Sequence, residues 1–106
     1  MILITPWVAL LRKAVEQRTH IISSHARIRM GERNVSEVDV SDCCLYGQVI
    51  EEQDHGRDVK VLLQGVDTNG EAFFIVVALK YPRPVIVTVS RFLDDTWGDL
   101  GQFKKR

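Results

Sequence analysis

Residues 71–81 read EAFFIVVALKY, and this is the stretch that decides the fold. From Phe73 to Leu79 the apolar side chains fall on both alternating faces, which is the pattern of a central strand covered on each side. Asn69-Gly70, just before it, is a strong hairpin signal because both residues accept positive φ. That hairpin joins the central strand to VKVLLQGV at 59–66. Upstream, QVIEEQ (48–53) is separated from that strand by the turn His55-Gly56-Arg57-Asp58. Downstream, VIVTVSRF (85–92) follows Pro82-Arg83-Pro84. Connections of hairpin length make these four strands an antiparallel meander.

The first half of the chain has helical periodicity. Thr5 can cap a helix opened by Pro6, and Trp7, Leu10, Leu11, Ala14 and Val15 then recur on one face. That face either docks a partner or packs on the chain's own sheet, and the second reading is favoured. THIIS (19–23) suits a short strand. Ser23 or Ser24 caps a helix from His25 to about Arg33, and Asn34 tolerates the left-handed backbone that ends helices. Ser36 caps the next helix, with Asp39 three residues on and Val35 and Val40 at staple spacing. Gly47 closes it. Helices grouped ahead of an antiparallel sheet define an α+β fold, with N-terminal helices packed on a four-stranded antiparallel meander. Trp97 and Phe103 are expected to fold back over an edge of the sheet. Lys104-Lys105-Arg106 is expected to be a solvated end.

At 106 residues the chain is one domain. Its 45% hydrophobic and 26% charged content is ordinary for a globular protein. Fourteen basic residues balance fourteen acidic ones, which counts against a strongly basic nucleic-acid binder but is silent about a local basic groove. Cys43 and Cys44 are adjacent and so poorly placed to share a metal. They read as buried small hydrophobes in a reduced compartment. The N-terminus lacks a basic leader and a small-residue cleavage site, and no apolar run approaches a membrane span. The expectation is a cytoplasmic protein that engages no membrane.

Chemistry is concentrated in SHARIRMGERNVS (24–36). Four-residue spacing stacks His25, Arg29 and Arg33 along one helical stripe. An imidazole and two guanidiniums in a row suit an anion, most readily a phosphate. Histidine can also move a proton near neutral pH. In the alternative, His25 hydrogen-bonds a neighbouring strand, and Arg29 and Arg33 pair with Glu32, Glu51 or Glu52 to pin the helices to the sheet. Secondary candidates for holding a substrate are Glu51, Lys60, Thr88 and Arg91. The histidines show no metal-ligand spacing, and no phosphate-cradling glycine loop is present, so neither metal nor cofactor is expected.

His25-Ala26, Arg29-Met30 and Arg33, then Ser36, Gly47 and Val49-Ile50-Glu51, together with Val85-Ile86-Val87-Thr88-Val89 and Trp97, resemble a bacterial family of unknown function. That family is usually grouped with the RelE/ParE-like toxins and other small metal-independent ribonucleases. The likeness covers residues 20–97, leaving 1–19 as an N-terminal helical extension and 98–106 as a tail. It implies a RelE-like or barnase-like fold whose helix–sheet cleft binds RNA, with attack of the 2′-hydroxyl on the adjacent phosphate. On that likeness His25, Arg29 and Arg33 are the catalytic set, and the partners are RNA and an antitoxin protein. Family members often carry a histidine where this chain has Phe74 and a tyrosine where it has Ser90. The second reading is a non-catalytic module on the same fold, binding a protein or a nucleic acid.

Overall fold

The structure is a computed structural model that describes residues 6–54, 59–80 and 83–92. Among the described residues three helices, α1 (Pro6–Glu16), α2 (Ser24–Arg33) and α3 (Glu37–Tyr46), precede most of the sheet. The strands are β1 (Ile21–Ile22), β2 (Gln48–Asp54), β3 (Val59–Val66), β4 (Ala72–Ala78) and β5 (Val85–Ser90). The sheet order is β1-β5-β4-β3-β2. The expected meander is present as β2 to β5, all paired antiparallel. The expectation of a four-stranded antiparallel sheet is corrected in one respect: among the described residues the sheet has five strands and is mixed. Ile21 and Ile22 add to the outer side of β5 in parallel, opposite Val85 and Ile86. A parallel neighbour needs a long crossover, and α2, α3 and the three intervening strands provide it.

β4 lies between β3 and β5 with both faces buried, as its unbroken apolar run requires. Phe73, Ile75 and Val77 point to one side, where Val61, Leu63, Ile86 and Val89 join them in the main core. All three helices contribute to this core: Val8, Leu11 and Val15 from α1, Ala26 and Met30 from α2, and Val40, Cys43 and Cys44 from α3. The other side carries Leu62 and Val76, both fully buried, with Phe74 and Val87 against them. Two bulges, at Ile50 and opposite Val76–Val77, bend the sheet.

α1 packs chiefly on α3 while its apolar face joins the core shared with the sheet, and Arg12 Nε donates to the Cys44 carbonyl at 3.3 Å. Its buried face is Val8, Leu11, Ala14 and Val15; Leu10 points outward and Trp7 is only half-buried. The apolar face is therefore rotated from the expected one. α1 ends on Arg18 in the left-handed region (φ 58°), with Thr19 N–H donating to the Ala14 carbonyl at 2.8 Å. Ser23 caps α2 through Ala26 N–H, and Asn34 ends it at φ 56°. The Ser36–Asp39 capping box forms, and Val35 and Val40 are both buried beside it. Gly47 does end α3, but at φ −69°, an ordinary backbone angle. Its lack of a side chain is what matters: a Cβ there would press on the Cys43 carbonyl and stand 2.6 Å from that of Gln64.

No helix among the described residues is long and apolar enough to cross a membrane. The expected roles of Thr5, the turn at His55–Asp58, Tyr81-Pro82, Trp97, Phe103 and the terminal basic residues lie outside the described residues.

Candidate functional site

Ser23 fixes where α2 starts. Its hydroxyl accepts from Ala26 N–H at 3.0 Å and donates to the Val87 carbonyl at 3.1 Å, so one side chain caps the helix and ties it to β5. Ala26 and Met30, four apart, then face the core. His25, Arg29 and Arg33 form the neighbouring row, as their spacing requires.

Along that row the two arginines converge on one atom. Arg29 Nη1 stands 2.7 Å and Arg33 Nη1 3.2 Å from the same oxygen, Glu32 Oε1. The Arg29 and Arg33 side chains are 29% and 21% exposed, while that of Glu32 is 52% exposed. The hydrogen bond from Arg29, aided by both guanidinium charges, holds the Glu32 carboxyl below its usual range. His25 is half-buried, and its Nε2 is buried without a hydrogen-bond partner among the described residues. The pairing with Glu32 weighed from the sequence is thus realised; Glu51 and Glu52 lie on β2, at the far edge of the sheet from β5.

Arg91 belongs to the same side of the molecule but does a different job. Its Nε and Nη2 donate to the Arg33 carbonyl at 3.1 and 2.8 Å, and Nη2 also reaches the Asn34 carbonyl. These are end carbonyls of α2, which lack intrahelical partners. The same guanidinium bonds Asp67 Oδ2 at 2.8 Å. Asp67 accepts in turn from Glu71 N–H and Asn69 N–H, which with Arg91 lower its pKa. Arg91 therefore braces the end of α2 against the β3–β4 turn. Nothing in the local sequence singled out Asp67, since its partner is 24 residues away in the chain.

The remaining candidates stand elsewhere. Cross-strand register places Glu51 beside Leu62, Lys60 beside Ala78 and Thr88 beside Val76. Paired residues share a face, so all three lie on the side of the sheet away from the helices. Thr88 is fully buried there and Lys60 nearly so, while Glu51 accepts from Gln53 Nε2 at 2.7 Å. The structure thus gathers Glu51, Lys60 and Thr88 on one face and His25, Arg29, Arg33 and Arg91 on the other. Phe74 and Ser90 are direct cross-strand partners on the Thr88 side. The Ser90 hydroxyl turns inward to the backbone, donating to the Phe92 carbonyl at 3.0 Å.

Burial raises both thiol pKa values, that of Cys44 to about 12. Among the described residues, no three His, Cys, Asp or Glu side chains are grouped to hold a metal ion.

Residues 22–91, about two thirds of the chain, match the domain of unknown function DUF4258. The chain belongs to that family. The match takes in α2, α3 and β2 to β5 and leaves α1 outside it. No curated protein and no solved structure matches the chain.

Proposed function

We propose that this member of the DUF4258 family is a metal-independent ribonuclease of the RelE-like toxin type, which grips an RNA phosphate on the half-buried basic row of α2. One observation carries the reading: two guanidiniums are aimed at a single oxygen of one half-exposed carboxylate. That geometry is set for a small anion, and a surface carboxylate on a long side chain is easily displaced. A phosphate entering from solvent takes the place of the Glu32 carboxylate between Arg29 and Arg33. His25, one turn earlier, has a ring nitrogen without a partner among the described residues. In the proposed step the His25 ring turns Nε2, buried in the free protein, toward the bound RNA, and Nε2 takes the proton of the 2′-hydroxyl as its oxygen attacks the adjacent phosphorus. The bond to the 5′-oxygen breaks, that oxygen leaves with a proton from water, the hydroxide so formed takes the proton back from Nε2, and a 2′,3′-cyclic phosphate remains. The guanidiniums brace the charge that builds on the phosphoryl oxygens. A toxin of this kind would need an antitoxin protein that covers the row.

The test is cleavage of RNA by pure protein in chelator, with and without ribosomes, read by product end-group. Cyclic-phosphate ends are expected, with His25→Ala slower by about 10²-fold or more and Arg29→Ala also impaired. RNA left intact under both conditions would sink the proposal.

A second reading has its own support. The positions where members of the resembled family often carry histidine and tyrosine are cross-strand neighbours here, filled by Phe74 and an inward-bonded Ser90. On that reading the protein binds RNA or a protein without turnover. Arg29→Ala then weakens RNA binding and lowers its salt dependence by about one charge, with no cleavage by any variant.

A further inference from the structure

We propose that the groove between α3 and the end of β3 docks an amphipathic helix of another protein, one that carries a lysine or arginine between two apolar side chains. The groove encloses about 750 Å³. α3 presents Val38, Asp42 and Tyr46 to it, four residues apart and so on one stripe. Val66, at the end of β3, stands on the opposite wall. Val38, Tyr46 and Val66 are 68%, 81% and 61% exposed. The other face of α3 already buries Val40, Cys43 and Cys44 in the core. The helix is thus apolar on both sides, and the described fold uses only one of them. Among the described residues, none of the other exposed large apolar side chains lines this groove.

Charge selects the occupant. Among the described residues the lining includes Asp39, Asp42 and Asp67 and contains no Lys, Arg or His. Asp39 is committed to the capping box and to the Thr68 hydroxyl, and Asp67 to Arg91. Asp42 is the exposed acid of the three. α3 carries no basic residue in its own last turn, and the cation that meets its end is Arg12 of α1, at the Cys44 carbonyl. Asp42 is thus the acid that a partner's cation complements. Spacing selects the shape. Val38 and Tyr46 are about 12 Å apart along the helix axis, from a rise of about 1.5 Å per residue. A partner helix lying alongside has apolar residues at i and i+7 about 10.5 Å apart, with positions i+3 and i+4 facing Asp42. This docking does not depend on whether the α2 row cleaves RNA.

The test is a titration of ¹⁵N-labelled protein with a synthetic 14-residue helical peptide bearing Leu at i and i+7 and Lys at i+3 and i+4. Its counterpart has Glu in place of Lys. Amide shifts are expected to be confined to residues 37–48 and 64–68, with the Glu peptide at least tenfold weaker. Asp42→Lys should invert that preference, and Tyr46→Ala should weaken the Lys peptide at least tenfold. Both sites are on the surface, and unchanged unfolding temperatures will show that the variants fold. Equal affinity for the two peptides, an unaltered preference in Asp42→Lys, or shifts centred elsewhere would each overturn the proposal. So would a dimer of the protein alone that Tyr46→Arg dissolves, because a second copy would then hold the groove.

Discussion

Replacing Gly47 with alanine separates two reasons for a glycine at a helix end. At φ −69° and ψ 167° alanine is fully allowed. With free space around it, the change would stabilise the fold by about 0.4–1 kcal/mol, through the lower entropy of the unfolded chain. There is no free space. The added methyl would press on the Cys43 carbonyl and stand 2.6 Å from the Gln64 carbonyl. Both obstacles are backbone, one in α3 and one in β3, so neither can rotate aside. Overpacking of this kind costs about 1–3 kcal/mol. The net expectation is a loss of about 1–2 kcal/mol, combining the two terms. In a domain of this size that lowers the unfolding temperature by roughly 4–15 °C. Gly31 is the matched control. It lies in α2, where an added Cβ would meet nothing within 4 Å, so alanine there should stabilise by about 0.8–1 kcal/mol. Thermal and urea unfolding of the two variants reads the opposite signs directly. A Gly47→Ala protein more stable than wild type would refute the close approach of α3 to β3.

Other side chains carry expectations of their own. Ser23→Ala removes a cap and a tie to β5 together, and should destabilise by about 1–2 kcal/mol in urea unfolding; a change below the error of the measurement would mean the cap is idle. Cys43 and Cys44 should fail to react with a thiol-specific disulfide reagent at pH 8 in the native protein and react only on unfolding, because burial raises both pKa values. Rapid native labelling would contradict their burial. His20 is held below its usual 6.5 mainly by burial, against the opposing pull of Glu37 and the Ala14 backbone. The native state therefore binds fewer protons than the unfolded chain, and stability should fall as pH drops from about 6.5 through the lowered native value. His20→Gln should flatten that slope between pH 7 and 5, and parallel profiles for the two proteins would exclude the effect. Glu32 and Asp67, also lowered, act in a more acid range: their contributions are present above the ordinary carboxyl values of 4.5 and 3.8 and vanish as pH falls through the native ones.

Local chemistry along the chain was enough for most of the elements. A capping box needs only Ser36, Asp39 and the backbone between them, and Asn34 adopts its left-handed angle for local steric reasons. The four-strand meander follows from period-two patterns and short connections, because hairpin pairing is decided by neighbours in sequence. The stripe of His25, Arg29 and Arg33 likewise needs only helical geometry, and so does the nearness of Glu32 to Arg29, three residues earlier; the contact of Arg33 with its neighbour Glu32 does not follow from that spacing.

Features set by interactions within a few residues were therefore legible in the chain, and long-range contact decided the rest. Nothing in Ile21-Ile22 says that two residues will add a parallel strand to an element more than sixty positions later; the partner edge exists only once β5 is in place. Arg18 takes a glycine-like angle because the end of α1 demands it, against its own preference. Arg91 and Asp67, each unremarkable alone, become a brace when the sheet brings the end of β5 to the β3–β4 turn. The sheet also divides the candidate residues, since strand parity and register send Thr88, Lys60 and Glu51 to one face while α2 carries its basic row on the other. A side chain's type and spacing are written in the chain, but which surface it shares with another is a property of packing.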